Sequence, residues 1–221
     1  KFFVNKNNNF NAIKSEAKNL EYLNKKFNFF PNLIKSDENY IIIQYIYNNN
    51  NKPKKTNLDF LKSIIKIHSV KNNFFGYDFN TQMGGLEQIN DFNISWVNFF
   101  SNNRLIPMIN LANTKHNMGS QINEKLKILV KNIYNLIPDK PPASLLHGDM
   151  WEGNILFYNN KFISFIDPGS FYGHNEMEVA YLRWFKPQFI DSNFLDRYNE
   201  FIPLNKDYLN YEPIYQIYYA L

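Results

Sequence analysis

Residues 145–157 read LLHGDMWEGNILF, and residues 162–180 read FISFIDPGSFYGHNEMEVA. The first stretch places Asp149 and Asn154 with four residues between them. The second delivers Asp167 just after a candidate hairpin, in which the strands ILFY and FISFI are joined by Asn159-Asn160, a dipeptide that tolerates the positive φ a tight turn needs. Phosphoryl transfer asks for this set of groups: a carboxylate to orient the acceptor hydroxyl and take its proton, and hard oxygen ligands to hold magnesium against the phosphates. The spacing therefore makes Asp149 the candidate base and Asn154 and Asp167 the candidate metal ligands. His147 reads as a brace for the loop. The catalytic loop of protein kinases and its metal-binding Asp follow the same logic.

Composition bounds the alternatives. The chain has 221 residues, 44% hydrophobic and 20% charged, as in an ordinary globular protein able to bury a sizeable core. No apolar run approaches the roughly 20 residues of a membrane span, and no signal peptide is visible. With no cysteine there is neither a disulfide framework nor a thiolate metal site, which fits a cytoplasmic setting. The net charge of +4 is scattered; its densest cluster, KPKK at 52–55, reads as a solvated linker and not as a nucleic-acid patch. Roughly one residue in six is asparagine, and runs such as NNN at 48–50 read as base-composition bias.

Along the chain, KFFVNK (1–6) reads as a strand. An amphipathic helix follows from Phe10 to about Phe27, stopped by Pro31. NYIIIQYIY (39–47) reads as a buried strand, and 48–57 as a linker. Residues 58–70, 91–112 and 121–137 read as helices, with Gly84 and Gly85 in a loop between the first two. The tail returns to helix in EMEVAYLRWF, SNFLDRYNEFI and YEPIYQIYYAL. The expected division is a nucleotide-side lobe at 1–47, a hinge at 48–57 and a catalytic lobe at 58–221.

These motifs resemble the fructosamine kinase (ketosamine-3-kinase) family, whose pattern is close to HGDLWSGN followed by IDPAxYYGDREVDLA. Trp151 and Pro168 favour that branch over choline and aminoglycoside kinases. The resemblance extends to IKSEAKNLEYL (13–23), to the segment from Phe75 to Leu105, and to the C-terminal helix. It implies an α+β, two-lobed protein-kinase-like fold with a mainly helical C-lobe. It also implies ATP and Mg2+ as cofactors and a ketosamine or other glycated amine as substrate. Glu16 matches the helix glutamate that pairs with a strand lysine, and Tyr45 and Ile46 match the hinge that binds adenine. Trp96, better read as core, and Arg104 are candidates for the acceptor side.

The pattern also departs from the family. No glycine precedes Gly76, so the phosphate-covering loop is missing and the N-lobe is expected to be truncated. Asn5 stands where the family has its strand lysine; Lys6 points to the opposite face, and Lys1 lies roughly 13 Å along the strand. His174 and Asn175 replace an Asp-Arg pair, and His174 reads as an exposed loop histidine. Glu178 replaces an Asp that braces the catalytic loop. A chain that begins at Lys1 and stops at Leu221 is expected to be a fragment or trimmed product. The primary expectation is a ketosamine kinase; the alternative is a degenerate, non-catalytic homologue that binds a ligand or partner, or a truncated gene product.

Overall fold

The computed structural model describes residues 10–116 and 118–221. The expected first strand, with Lys1, Asn5 and Lys6, lies outside the described residues. Helix α1 (Ala12–Asn24) starts where the Asn11 side chain accepts the Lys14 N–H, and it buries Ile13, Glu16, Ala17, Leu20 and Leu23. It ends well before Pro31, because the Lys26 and Phe27 N–H groups close on the Leu23 carbonyl. The residues between are drawn inward: Phe29 and Phe30 are buried against Phe165, and Phe30 stacks on His147 at 6.0 Å. Burying each ring is worth about 1.5–3 kcal/mol, more than the last helical turn would contribute.

Strands β1 (Leu33–Ser36) and β2 (Ile41–Ile43) pair antiparallel. The run expected as a buried strand over 39–47 is thus three residues long. Only Ile41 is buried, packed on Ile13 and Ala17, while Ile42, Tyr45 and Tyr47 are exposed. One helix covers one face of a two-stranded ribbon, so the other face stays in water. The chain from 44 to 53 has no helix or strand. Lys54 and Lys55 are exposed as expected of a linker, but Lys52 is paired with Glu152 at 2.7 Å.

Helix α2 (Leu58–His68), capped by Asn57, buries Phe60, Leu61, Ile64, Ile67 and His68. Short strands follow: β3 (Lys71–Asn72), β4 (Thr81–Met83) and β5 (Leu86–Gln88). The last two form a hairpin, turned at Gly84 (φ 56°) and Gly85 (φ 86°), where the sequence suggested only a loop. The helix expected from 91 begins instead at α3 (Trp96–Phe100), because Ser95 caps the Asn98 N–H. It continues through a π-helical turn at 101–105 into α4 (Ile106–Lys115). Pro107 has no N–H to offer the Asn103 carbonyl, and the Arg104 guanidinium fills that carbonyl instead at 2.9 Å.

After α5 (Ser120–Asn132), strand β6 (Ala143–Leu146) forms the centre of an antiparallel sheet with β3 on one side and β9 (Phe171–His174) on the other. Between β6 and β9 lies the hairpin β7 (Ile155–Tyr158) and β8 (Lys161–Phe165). Its turn at Asn159 and Asn160, with φ of 48° and 65°, is the one read from sequence. Helices α6 (Asn175–Phe185), α7 (Phe194–Asn199) and α8 (Tyr208–Ala220) complete the chain. Mixed helix and strand with a predominantly helical C-terminal part is the expected α+β class. No helix among the described residues is long and apolar enough to cross a membrane.

His174 is not an exposed loop residue; it is 3% exposed, at the start of α6. Its Nδ1 accepts from the Tyr215 hydroxyl at 2.8 Å, and that hydroxyl accepts the Trp96 indole N–H at 2.8 Å. Its Nε2 faces Glu176 at 3.4 Å, and Glu176 also accepts from Tyr211 and the Asn205 N–H. Burial, with the charges of Lys71 and His68 nearby, lowers the His174 pKa to about 3. The folded state therefore keeps His174 neutral while the unfolded chain protonates it below about pH 6.5, so stability present above that pH is lost as pH falls. Urea denaturation at pH 7, 6 and 5 should show a loss approaching ~1.4 kcal/mol per pH unit below pH 6.5 from this residue. His174→Gln should flatten that slope, and an unchanged slope would reject the assignment.

Candidate active site

The loop between β6 and β7 is fixed from beneath by one carboxylate. Glu178, 1% exposed on α6, accepts the His147 N–H at 3.0 Å and the Gly148 N–H at 2.7 Å. It also receives His68 Nε2 at 2.9 Å, and His68 Nδ1 meets the Tyr198 hydroxyl at 2.7 Å. Burial pushes the Glu178 pKa up, but these donors together hold it below the ordinary glutamate value. Glu178 thus braces the loop between β6 and β7, as the sequence suggested.

His147 braces the same loop from within. Its Nδ1 accepts the Asp149 N–H at 3.2 Å and its Nε2 meets the Ile166 carbonyl at 3.0 Å, an arrangement that needs a neutral ring protonated on Nε2. Burial lowers its pKa in agreement with that state. Two glycines then let three backbone segments lie in contact. A Cβ on Gly148 (φ 87°) would sit 2.0 Å from the Gly169 carbonyl oxygen, and one on Gly169 would sit 2.0 Å from that of Gln82. The catalytic loop, the Asp167–Gly169 segment and strand β4 are thereby stacked, with Gly169 N–H donating to the His147 carbonyl at 2.9 Å.

This stack brings Asp149, Asn154 and Asp167 together around one cavity of ≈ 260 Å³, closed on its other side by Gln82, Gly84, Gly85 and Trp151. Gly84 N–H points at Asp149 Oδ2 at 3.4 Å. The Asp149 pKa is raised to about 6, first by burial and further by Asp167 and Glu178, with Gly84 and Asn154 opposing the rise. At neutral pH it is ionised and can accept a proton. Asn154 donates Nδ2 to the Asp149 carbonyl at 2.9 Å, which leaves its Oδ1 lone pairs for the cavity. Asp167 takes a left-handed backbone conformation (φ 53°), unusual for a residue with a side chain. One carboxylate and one amide oxygen on a shared cavity suit Mg2+, which binds few protein ligands and leaves its remaining positions to phosphate and water.

The other candidates separate. Glu16 is 1% exposed, so it is not a solvated helix charge. Its helix is tied to the site through Asn19, which donates to the Pro168 carbonyl at 3.0 Å. Tyr45 is 81% exposed and Ile46 partly buried, both in the segment without helix or strand after β2, and neither lines the cavity of Asp149. Trp96 is core. Arg104 does not face the catalytic cavity; it is buried against Phe171 and Phe99 and bonded to the carbonyls of Ile89 and Asn103. Sequence reasoning missed the β4–β5 hairpin as a wall of the site, although its Gly84-Gly85 pair was the available signal. It also missed His68, which no motif marks.

Glu178→Gln replaces one acceptor oxygen with a donor facing a loop N–H. It should destabilise the fold by roughly 2–4 kcal/mol. Hydrogen exchange should show the His147 and Gly148 amides losing protection before those of α2; equal loss everywhere would deny Glu178 a local role.

The comparisons with known proteins agree with this geometry. The fructosamine kinase family model matches residues 1–221. A protein of Enterococcus faecium named a probable ketoamine kinase is 33% identical over 167 residues, covering 74% of this chain and 58% of its own length. Mouse ketosamine-3-kinase is 31% identical over 149 residues, covering 66% of this chain and 47% of its own. The chain thus spans about half the length of the curated relatives it matches. Among solved structures, a Haemophilus somnus protein assigned as a fructosamine-3-kinase superposes with a TM-score of 0.80 at 26% identity, covering 94% of this chain and 70% of its own. The gentamicin complex of the aminoglycoside phosphotransferase APH(2")-IIa shares the fold, with a TM-score of 0.63 at 15% identity over 93% of this chain and 70% of its own. The chain belongs to the fructosamine kinase family.

Proposed function

We propose that this protein is an ATP-dependent small-molecule kinase that phosphorylates a sugar hydroxyl of a ketosamine. The observation that carries this reading is the convergence of Asp149, Asn154 and Asp167 on one cavity beneath the β4–β5 hairpin. Asp149 would orient the acceptor hydroxyl and take its proton as the oxygen attacks the γ-phosphorus. Asn154 and Asp167 would hold Mg2+, which supplies charge neutralisation for the phosphates. Residues 1–47 form the nucleotide side in this reading, with Glu16 positioning phosphates and the backbone of Tyr45 and Ile46 meeting adenine. Residues 48–57 form the hinge and 58–221 the catalytic and acceptor side. The family match and the mouse relative's name support the ketosamine as acceptor. A cytoplasmic setting belongs to the same proposal, although an Arabidopsis thaliana relative, protein-ribulosamine 3-kinase, is named chloroplastic.

One sequence observation favours a second reading, a homologue that binds without catalysing: Asn5 stands where the resemblance expects a lysine. An asparagine contributes no positive charge to the developing phosphates.

Both readings meet in one assay: magnesium-dependent transfer from ATP to Nε-fructosyllysine by the purified chain. Transfer should occur and fall about 10²–10⁴-fold in Asp149→Asn. Asp167→Asn should instead raise the magnesium concentration needed. No transfer by the wild type, with transfer restored by Asn5→Lys, would favour the second reading.

A further inference from the structure

Glu178 and His147 fix the backbone of the loop that carries Asp149, but a carboxylate on a fixed backbone still turns about its own bonds. Its direction matters, because misplacing a reacting group by ~1 Å can cost on the order of 10²-fold in rate. The groups that meet Asp149 from the cavity are weak guides. The Gly84 N–H stands 3.4 Å from Oδ2, at the turn of a hairpin with three residues per strand. Asn154 has its amide on the Asp149 carbonyl at 2.9 Å and its oxygen toward the candidate metal position.

Helix α6 supplies a firmer hold from the other side. Glu178 on this helix bonds the N–H groups of His147 and Gly148. Tyr181 follows three residues later on the same helix face, and it meets the next residue of the loop. The Tyr181 hydroxyl is within hydrogen-bonding reach of the Asp149 carboxylate. Burial, and then the charge of Asp149, push its pKa well above the ordinary tyrosine value, so the phenol keeps its proton and donates.

The ring behind that hydroxyl is held on two sides, and Tyr181 is only 6% exposed. Tyr219 of α8 stacks face to face on it, with ring centres 3.8 Å apart and planes 8° apart. Phe185, one turn further along α6, meets it edge-on at 5.3 Å and 81°. The two helices are themselves joined by Arg183 and Glu212, paired at 2.5 Å. A space-filling role would need the ring alone. The hydroxyl has a use only at Asp149.

Resting on the ketosamine kinase reading, we propose that Tyr181 is a positioning residue whose hydroxyl donates to the Asp149 carboxylate and keeps it aimed at the acceptor hydroxyl. Tyr219 is its buttress. Tyr181 acts through Asp149 and needs no contact with substrate or metal. One helix then sets both parts of the base: Glu178 holds the backbone, and Tyr181 holds the side chain.

The test is Tyr181→Phe, which removes the hydroxyl and keeps the stacked ring. With Nε-fructosyllysine as acceptor, kcat should fall roughly 10–100-fold, with both KM values and the melting temperature little changed. In the Asp149→Asn background the same change should cost nothing further, because residues that act as one unit are not additive. A wild-type kcat in Tyr181→Phe, or a loss that multiplies with that of Asp149→Asn, would overturn the proposal. Where transfer requires Asn5→Lys, the comparison is made in that background. If neither background transfers phosphate, the kinase reading has failed separately, and urea denaturation reads the contact itself. Tyr181→Phe should then lower the folding equilibrium constant roughly tenfold more in the wild-type chain than in Asp149→Ala. Equal penalties in the two would reject the contact and the proposal with it.

Discussion

The carboxylate of Glu178 is the interaction on which the rest of the structure depends. It sits at the junction of α2, α6 and the catalytic loop, and it takes three donors from two of them. An ionised group at that depth is costly unless its lone pairs are filled. His68 and two backbone N–H groups fill them, so the charge persists and the loop cannot leave without stranding it. Its side chain is one methylene longer than the aspartate the family pattern has there. The extra reach is compatible with bonding both consecutive N–H groups through separate oxygens.

Fixing the loop from below leaves its upper side to be fixed by shape. Gly148 and Gly169 remove side chains at the two places where backbone meets backbone, and strand β4 lies on the second of them. The β4–β5 hairpin has only three residues per strand, too short to hold itself in water. It is held at its base, where the Thr81 hydroxyl donates to Gly169 and Asn90 donates to Thr81 and Phe79. Its tip meets the site through the longer Gly84–Asp149 contact. The hairpin is therefore held firmly where it meets Gly169 and only weakly tied where it meets Asp149.

How far this was legible depends on the period of the signal. Long elements with one apolar face, such as α1 and α2, announced themselves, and the Asn159-Asn160 turn named its hairpin by backbone chemistry alone. Strands β6 and β9 did not, because all four residues of each are buried and no alternation survives. That Asp149, Asn154 and Asp167 share one cavity could be anticipated, because they lie on one loop and on the end of the hairpin that follows it. His174 was misread because burial is a property of what packs around a residue, and its neighbours Tyr211 and Tyr215 come from α8, far off in sequence. Asparagine was discounted as compositional noise, yet it is used locally throughout. Asn11 and Asn57 cap helices, Asn50, Asn159 and Asn160 take positive φ, and Asn49 ties the linker to the β7–β8 turn. A bias that supplies many small amides gives the backbone many local partners.

The same reasoning explains why the site tolerates features that disfavour the folded state. Asp149 is buried enough to resist ionisation, Asp167 occupies a left-handed conformation, and Gln88 and Arg104 hold unpaired polar atoms. None of these would survive in a chain optimised only for packing, and Asp149 and Asp167 line one cavity beneath the β4–β5 hairpin. Elsewhere the buried polar groups are largely paired, as the unbroken run from Trp96 through Tyr215 and His174 to Glu176 shows. A fold that pairs most of its buried polar groups, yet keeps a carboxylate buried and an aspartate in a left-handed conformation at one cavity, concentrates its strain where a ligand can relieve it.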